Sequence, residues 1–313
     1  FVLKVIGHWK NLASFYLCPM IGFPINYDEP LFRPPSEGKS LIIQVTLGCS
    51  WNKCSFCEMY TSKRFTVRKQ EDIFTDIEAM VPYASHVTKV FLADGDPLVL
   101  SNNRLIPILK KITQTFPNLR RISTYATPAN IFKKTTNELV ELKNAGLTLL
   151  YVGIESGDNE TLKMIQKGET KESVIAGILK GHEAGIETSV MVINGVGGKA
   201  FSDQHAIASA EVLNATQPKF ASTLVLTTYK GLEHFRNRIL GDFEELDLFQ
   251  QMKELKLFME HLNLEHTIFR SDHASNQLVL KGTLGKDKQK FLTQIENAIE
   301  DPSGKLRPKY KGY

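Results

Sequence analysis

The sequence predicts an α/β protein, a partial (β/α)6 TIM-like barrel with a small C-terminal α+β cap, and three observations point there. From residue 40 to about 230, short apolar runs bounded by turn residues alternate with stretches of helical periodicity, the pattern of βα units on a parallel sheet. The units number six, fewer than the eight that close a full barrel. Beyond Gly231 the rhythm stops and a more charged segment follows.

Residues 1–37 form a lead-in rich in aromatic residues and prolines, ending near Leu31-Phe32-Arg33-Pro34-Pro35. Paired prolines disfavour helix and strand interior, so the lead-in is expected to be an extended arm. Strands are expected at 41–47, 89–93, 120–125, 148–153, 187–193 and 219–226. Helices are expected between them at 70–80, 103–115, 137–145, 171–184 and 203–214, the second with Leu105, Ile108, Leu109 and Ile112 on one stripe. Gly146 and Gly185 stand where a helix C-terminal glycine belongs. In the last part a helix is expected at 246–262, strands near 267–269 and 277–280, and a helix at 287–299. The division reads as a lead-in (1–37), a partial barrel (38–230) and a cap with a basic tail (231–313).

The chain has 313 residues, 42% hydrophobic and 23% charged, with a net charge of +4. That composition allows a large core and gives no electrostatic argument for nucleic acid. The tail from Lys305 to Lys311 is basic and is expected to be a solvated end. No apolar run approaches the roughly 20 residues that span a bilayer, and Phe1-Val2-Leu3-Lys4 lacks a signal-peptide layout. A cytoplasmic location with no membrane partner is the expectation.

Three of the four cysteines fall within nine residues, in Cys49-Ser50-Trp51-Asn52-Lys53-Cys54-Ser55-Phe56-Cys57, directly after the first strand. The C-terminal end of a barrel strand is the face on which such folds do chemistry. Three readings compete. Structural zinc normally takes four protein ligands, and no obvious fourth lies near in sequence. A disulfide leaves one thiol over and does not suit the cytoplasm. An iron–sulfur cluster on three thiolates leaves one iron open for something exchangeable.

At this motif the sequence resembles the radical S-adenosylmethionine (SAM) superfamily. The family hallmark is a three-Cys motif in the loop after the first barrel strand, most often spaced three then two; here the spacing is four then two, as in longer-armed variants. Phe56 supplies the aromatic residue typical before the third Cys. The resemblance implies a [4Fe–4S] cluster on Cys49, Cys54 and Cys57, whose open iron chelates the SAM amino and carboxylate groups. It further implies reductive cleavage of SAM to methionine and a 5′-deoxyadenosyl radical that abstracts hydrogen from a substrate. The implied electron donor is of the flavodoxin or ferredoxin kind.

Further motifs stand at later strand ends. Asp94-Gly95-Asp96-Pro97 occupies the place of the family's Gly-Gly-Glu-Pro, and its carboxylate and carbonyl groups would accept hydrogen bonds from the SAM ammonium. Outside that context the same tetrapeptide reads as a turn. Gly153-Ile154-Glu155-Ser156-Gly157 resembles the family's Gly-x-Glu-Ser. A strand-end Glu155 in a barrel mouth needs a partner, and a ribose or ammonium would serve; the alternative is a helix cap near Asn159. Asn194-Gly195-Val196-Gly197-Gly198 lets backbone approach a flat ligand, in the place where the family passes the adenine. These matches cover residues of about 40–230.

The substrate is less legible. Cys18, in Tyr16-Leu17-Cys18-Pro19, is either a small buried hydrophobe or a catalytic thiol that donates hydrogen or sulfur to a substrate radical. His205 reads as a helix-start residue or a mouth residue, and Ser271 to Asn276 as a turn or a substrate-contact loop. Tyr125, Thr127 and Tyr229 are expected to project toward the mouth. With three cysteines used, a second full-cysteine cluster cannot be built from this sequence, and 1–37 is too short for a cobalamin-type domain. The expectation is a one-cluster oxidoreductase or transferase acting on a small molecule. The other readings are a non-catalytic cluster carrier resembling heme-trafficking relatives and an RNA-modifying enzyme, although no RNA-binding module is recognisable.

Overall fold

The computed structural model describes residues 3–4, 24–302 and 306–308; Cys18 lies outside the described residues. One sheet of eight strands organises the chain: β1 (Leu41–Gln44), β2 (Lys89–Ala93), β3 (Arg121–Tyr125), β4 (Leu147–Glu155), β5 (Glu187–Asn194), β6 (Phe220–Val225), β7 (Ile268–Arg270) and β8 (Lys281–Thr283). They lie side by side in chain order, parallel from β1 to β7, with β8 antiparallel at the edge. The first six are the strands expected from the apolar runs, which are nearly continuous because helices cover the outer face.

The helices are α1 (Gln70–Ala79), α2 (Asn102–Thr115), α3 (Pro128–Lys133), α4 (Thr136–Asn144), α5 (Asn159–Met164), α6 (Lys171–Glu183), α7 (Gly198–Thr216), α8 (Leu232–Arg236), α9 (Leu248–His261) and α10 (Lys288–Glu300). Capping boxes start α4 at Thr135/Glu138, α6 at Thr170/Ser173 and α9 at Asp247/Gln250, each satisfying amides that the first turn leaves open. Gly146 and Gly185 end helices in the left-handed region, with φ of 115° and 76°. Outward residues of the strands, such as Ile43, Val90, Leu92, Ile122, Val152 and Val190, pack with Ile77, Leu109, Leu139 and Ile178 of the helices. Each such side chain contributes about 1.5–3 kcal/mol by leaving water.

Four expectations change. The helix expected at 203–214 begins at Gly198, directly on the glycine segment. The segment after Gly231 does more than cover the barrel: β7 and β8 extend its sheet, and α9 packs between α7 and α10. The strand expected at 277–280 falls at Lys281–Thr283, because Leu280 N–H instead binds Ser271 Oγ and Asp287 caps the Thr283 amide. The described part of the tail, residues 306–308, is exposed at Arg307 and Pro308 but tethered: Leu306 packs on the core and Arg307 N–H binds the Gln277 carbonyl at 2.8 Å.

The lead-in is extended where described, but it enters the barrel. Leu31 is fully buried on the inner sheet face with Ile42, Phe91, Ala93, Tyr125, Leu149 and Tyr151. The Pro35–Glu37 turn places Glu37 at the barrel floor, fully buried. There it accepts hydrogen bonds from Arg121 Nη2 (2.6 Å), Ser123 (3.0 Å), Tyr151 (2.6 Å) and Ser40.

Candidate active site

Strand direction gathers the motifs on one rim. The cysteine loop leaves Thr46–Leu47, which pairs with Thr66–Val67, and meets the turn after β2. Gly95 N–H donates to Gly48 O (3.0 Å), Gly48 N–H to Asp94 Oδ2 (3.1 Å), and Ser50 Oγ to Asp96 Oδ2 (2.9 Å). A Cβ at Gly95 would stand 2.7 Å from Cys49 Cβ, so only glycine allows this approach. The middle of the loop is tied to the residues after α5: Trp51 Nε1 donates to Gln166 O (2.9 Å) and Ser55 N–H to Ile165 O (2.9 Å).

The far side of the loop is held by Arg238, beyond α8. Its Nη2 donates to Cys54 O (3.1 Å) and its Nη1 to Cys57 O (3.4 Å) and Glu58, while its own carbonyl accepts from Ser55 Oγ (2.7 Å). Glu58 also pairs with Lys230 (2.7 Å) and His234 (3.0 Å). The loop with the long first arm is therefore fixed from three directions.

Cys49, Cys54 and Cys57 are half-buried free thiols lining one cavity of about 130 Å³. Phe56, Tyr60, Gly95, Tyr125, Thr127, Tyr151, Glu155, Lys167 and Met191 also line it. Burial pushes the Cys54 thiol up to about 12 and Cys57 to about 11, and raises Cys49 as well. The bare thiols therefore hold their protons at neutral pH and would release them on binding metal. Among the described residues no group of three or more His, Cys, Asp or Glu side chains converges tightly enough for a single ion, whereas a four-iron cluster holds its thiolates further apart.

Two phenols distinguish this cavity. Tyr60 and Tyr125 line it, while their hydroxyls are buried without hydrogen-bond partners, and burial raises both pKa values well above the ordinary tyrosine range. A buried unpaired hydroxyl costs about 1–3 kcal/mol, so both residues hold unsatisfied groups behind the cavity wall. Asp96, fully buried behind the rim, leaves Oδ1 unpartnered, and burial raises it to about 6.

Glu155 ends β4 with a φ of 64° at a register shift, and Lys167 pairs with it at 2.9 Å. The partner that the sequence argument demanded for Glu155 is thus within the chain. Burial opposes the Lys167 charge, but Glu155 and Cys54 beside it hold its pKa above the ordinary lysine value. Its ammonium also lies 6.0 Å from the Phe56 ring centroid.

Of the motif residues, Phe56, Gly95 and Glu155 line the cavity with the cysteines, as do Tyr125 and Thr127. Asp94 instead braces the loop through Gly48 and Lys63 (3.0 Å). Ser156 turns outward to His205 Nδ1 (2.8 Å), and His205 is buried against α9 rather than lining the mouth. Asn194 is buried, and Gly195 gives its N–H to Glu254 Oε1 of α9; the space over its Cα is open. Tyr229 is exposed outside the cavity. Lys167, Tyr60, Arg238 and Glu254 were not singled out from the sequence, where no spacing links them to the motifs.

A second hollow of about 140 Å³ lies deeper, against the inner faces of β4–β7, and shares Tyr151 and Met191 with the first. Arg121, Ser189, Ser222, Arg270, Asp272 and His273 are among its lining residues.

Comparison with known proteins gives a consistent picture. The model of the Radical SAM superfamily matches residues 43–213. The chain is 24% identical over 179 residues to the heme chaperone HemW of Bacillus subtilis, covering 56% of this chain and 46% of that protein. It is 26% identical over 168 residues to GTP 3′,8-cyclase of Listeria monocytogenes, covering 51% and 47%. The chain spans about half the length of the curated relatives it matches. Among solved structures, coproporphyrinogen III oxidase (HemN) from Escherichia coli, described as a radical SAM enzyme, shares the fold with a TM-score of 0.56 at 18% identity, over 71% of this chain and 51% of that one.

Proposed function

We propose, from the premise that this chain belongs to the radical SAM superfamily, that it is a radical enzyme with one [4Fe–4S] cluster on Cys49, Cys54 and Cys57. Proteins of this family bind such a cluster and SAM. The observation that carries the reading is the single cavity that three free thiols share with Phe56, Gly95 and the Glu155–Lys167 pair. When bound, the cofactor pair supplies reductive cleavage of SAM to a 5′-deoxyadenosyl radical that abstracts hydrogen from a small-molecule substrate.

The chain's own part is to hold and to seal. Arg238 and the Asp94–Gly95 turn fix the cysteine loop from opposite sides. Phe56 and Gly95 line the SAM side of the cavity, and the Glu155–Lys167 pair sets its charge. Asp96 supports the rim through Ser50 and Asn130. Ser156 orients through His205, and Asn194-Gly195, backed by Glu254, leaves open space for a flat group. The substrate reaction is of the oxidoreductase or transferase class, fed by a flavodoxin- or ferredoxin-like donor. The similarity to HemW supports a second reading, a cluster-bearing carrier that binds SAM without turning it over.

Anaerobic reconstitution with iron and sulfide tests the cofactor assignment. A four-iron spectrum that SAM perturbs in the dithionite-reduced protein, and that is lost in Cys54→Ala, is the expected result. Stoichiometric zinc with no cluster overturns it.

A further inference from the structure

The inner face of the sheet is not filled uniformly. Barrel interiors are normally packed by layers of bulky branched side chains. Strand register turns Ser189 and Met191 of β5, Ser222 of β6 and Arg270 of β7 inward beside Tyr151 and Gly153 of β4. Ser189, Met191 and Ser222 stay half-buried and Arg270 exposed, so the second hollow opens where a packed layer would otherwise lie.

The charges at this hollow do not cancel. Arg121 is paired with Glu37 at 2.6 Å, and Asp272 with Lys281 at 2.8 Å. Arg270 remains: its Nη1 donates to the Phe269 and Gly282 carbonyls at 2.8 and 3.4 Å, and among the described residues no carboxylate pairs with it. A guanidinium held by carbonyls, with Ser222 its register partner on β6 and Ser189 on β5 beyond it, matches an oxyanion in charge and in hydrogen-bond donors, although Ser222 Oγ also donates to Val190 O at 3.4 Å.

We propose that this hollow is the substrate chamber and that it takes a small molecule bearing one oxyanion, a carboxylate or a phosphate, clamped by Arg270. Ser189 and Ser222 bind its polar groups, and its reactive end faces the cysteine cavity across Tyr151 and Met191. The assignment rests on the reading that SAM occupies the cysteine cavity, because only then does the chamber adjoin a radical source.

Ligand-detected NMR on the full chain, at fixed ionic strength, tests it with acetate, inorganic phosphate and neutral acetamide as probes. Acetate or phosphate is expected to bind saturably, the tighter one identifying the class, while acetamide does not bind. Loss of a charge-assisted hydrogen bond corresponds to about tenfold or more in affinity, so Arg270→Gln is expected to weaken the oxyanion by that factor. Arg270→Lys should retain part of the binding, and Ser222→Val, which narrows the hollow and removes a hydroxyl without touching charge, should weaken it. Failure of both oxyanions to bind the wild type, or unchanged binding in Arg270→Gln and Ser222→Val, overturns the proposal. SAM binding by reconstituted protein is measured in parallel: its persistence beside a failed oxyanion test overturns the chamber alone. Its absence beside a successful one leaves an oxyanion site but removes its role as a substrate chamber.

Discussion

The two halves of the inner sheet face are built in opposite ways. Under β1–β4 the space below the cysteine cavity is filled: Leu31 of the lead-in, Ile42, Phe91, Leu149, Tyr125 and Tyr151 close over one another, Leu149 and Tyr151 also forming a wall of the hollow, and Glu37 ties Arg121, Ser123 and Tyr151 at the floor. Under β5–β7 the same positions carry Ser189, Ser222 and Arg270 around a hollow. The filled half gives up binding space to fix the rim above it, and the hollow half gives up packing to admit a ligand. The comparison makes stability and ligand binding separable by mutation.

The largest effect on stability is expected in the filled half. Phe91, fully buried with Tyr125 and Tyr151 edge-on at 5.0 and 6.0 Å, should cost about 3–5 kcal/mol as Phe91→Ala, measured by urea unfolding. A loss below about 1 kcal/mol would erase the distinction between the halves. Glu37→Gln comes next. It leaves the Arg121 charge beside an uncharged amide, and breaking a buried pair costs about 3–5 kcal/mol. Arg121 is 22% exposed at its side chain, which places the expected loss at or below the lower end of that range. Adding Arg121→Met should recover part of the loss.

A smaller, pH-dependent effect is expected behind the rim, where Glu254 of α9 holds Gly195 N–H and Ser202. Burial raises Glu254 from 4.5 to about 7, so the folded protein binds the extra proton and this group's contribution falls as pH rises from about 4.5 to 7. Burial lowers His205, 3.8 Å away, from 6.5 to about 4; its contribution is present above 6.5 and is lost as pH falls toward 4. The two slopes oppose each other over a shared window. Glu254→Gln removes the falling one, so urea midpoints of the variant should gain on the wild type between pH 5 and pH 8. A constant offset across that range would show that Glu254 is not the titrating group. The smallest effect is expected in the hollow half: Ser222→Val should change stability by no more than about 0.5 kcal/mol, even as it narrows the chamber.

Much of the fold was legible because the strands are mostly apolar runs bounded by turn residues, interrupted by Ser and Thr in Arg121–Tyr125 and Phe220–Val225. Lys89–Ala93 matches the expected 89–93, and Arg121–Tyr125 the expected 120–125 within one residue. The cysteine motif was legible because its three thiols sit in one short loop. Lys167, Arg238 and Glu254 were not, because they reach the rim from later elements with no local period to mark them. The division of the inner face was hidden for the same reason: Ser189, Ser222 and Arg270 meet only through cross-strand register. Glu155 shows both sides, since burial demanded a partner but only the fold identifies Lys167.

The central claim is that the cysteine cavity generates a substrate radical from SAM. The most direct measurement is 5′-deoxyadenosine formed by anaerobically reconstituted protein with dithionite and SAM. Formation of 5′-deoxyadenosine by the wild type and none by Cys54→Ala is the predicted result. A cluster-loaded protein that binds SAM yet forms no 5′-deoxyadenosine, even with extracts supplying candidate substrates, would contradict it and leave the carrier reading in its place.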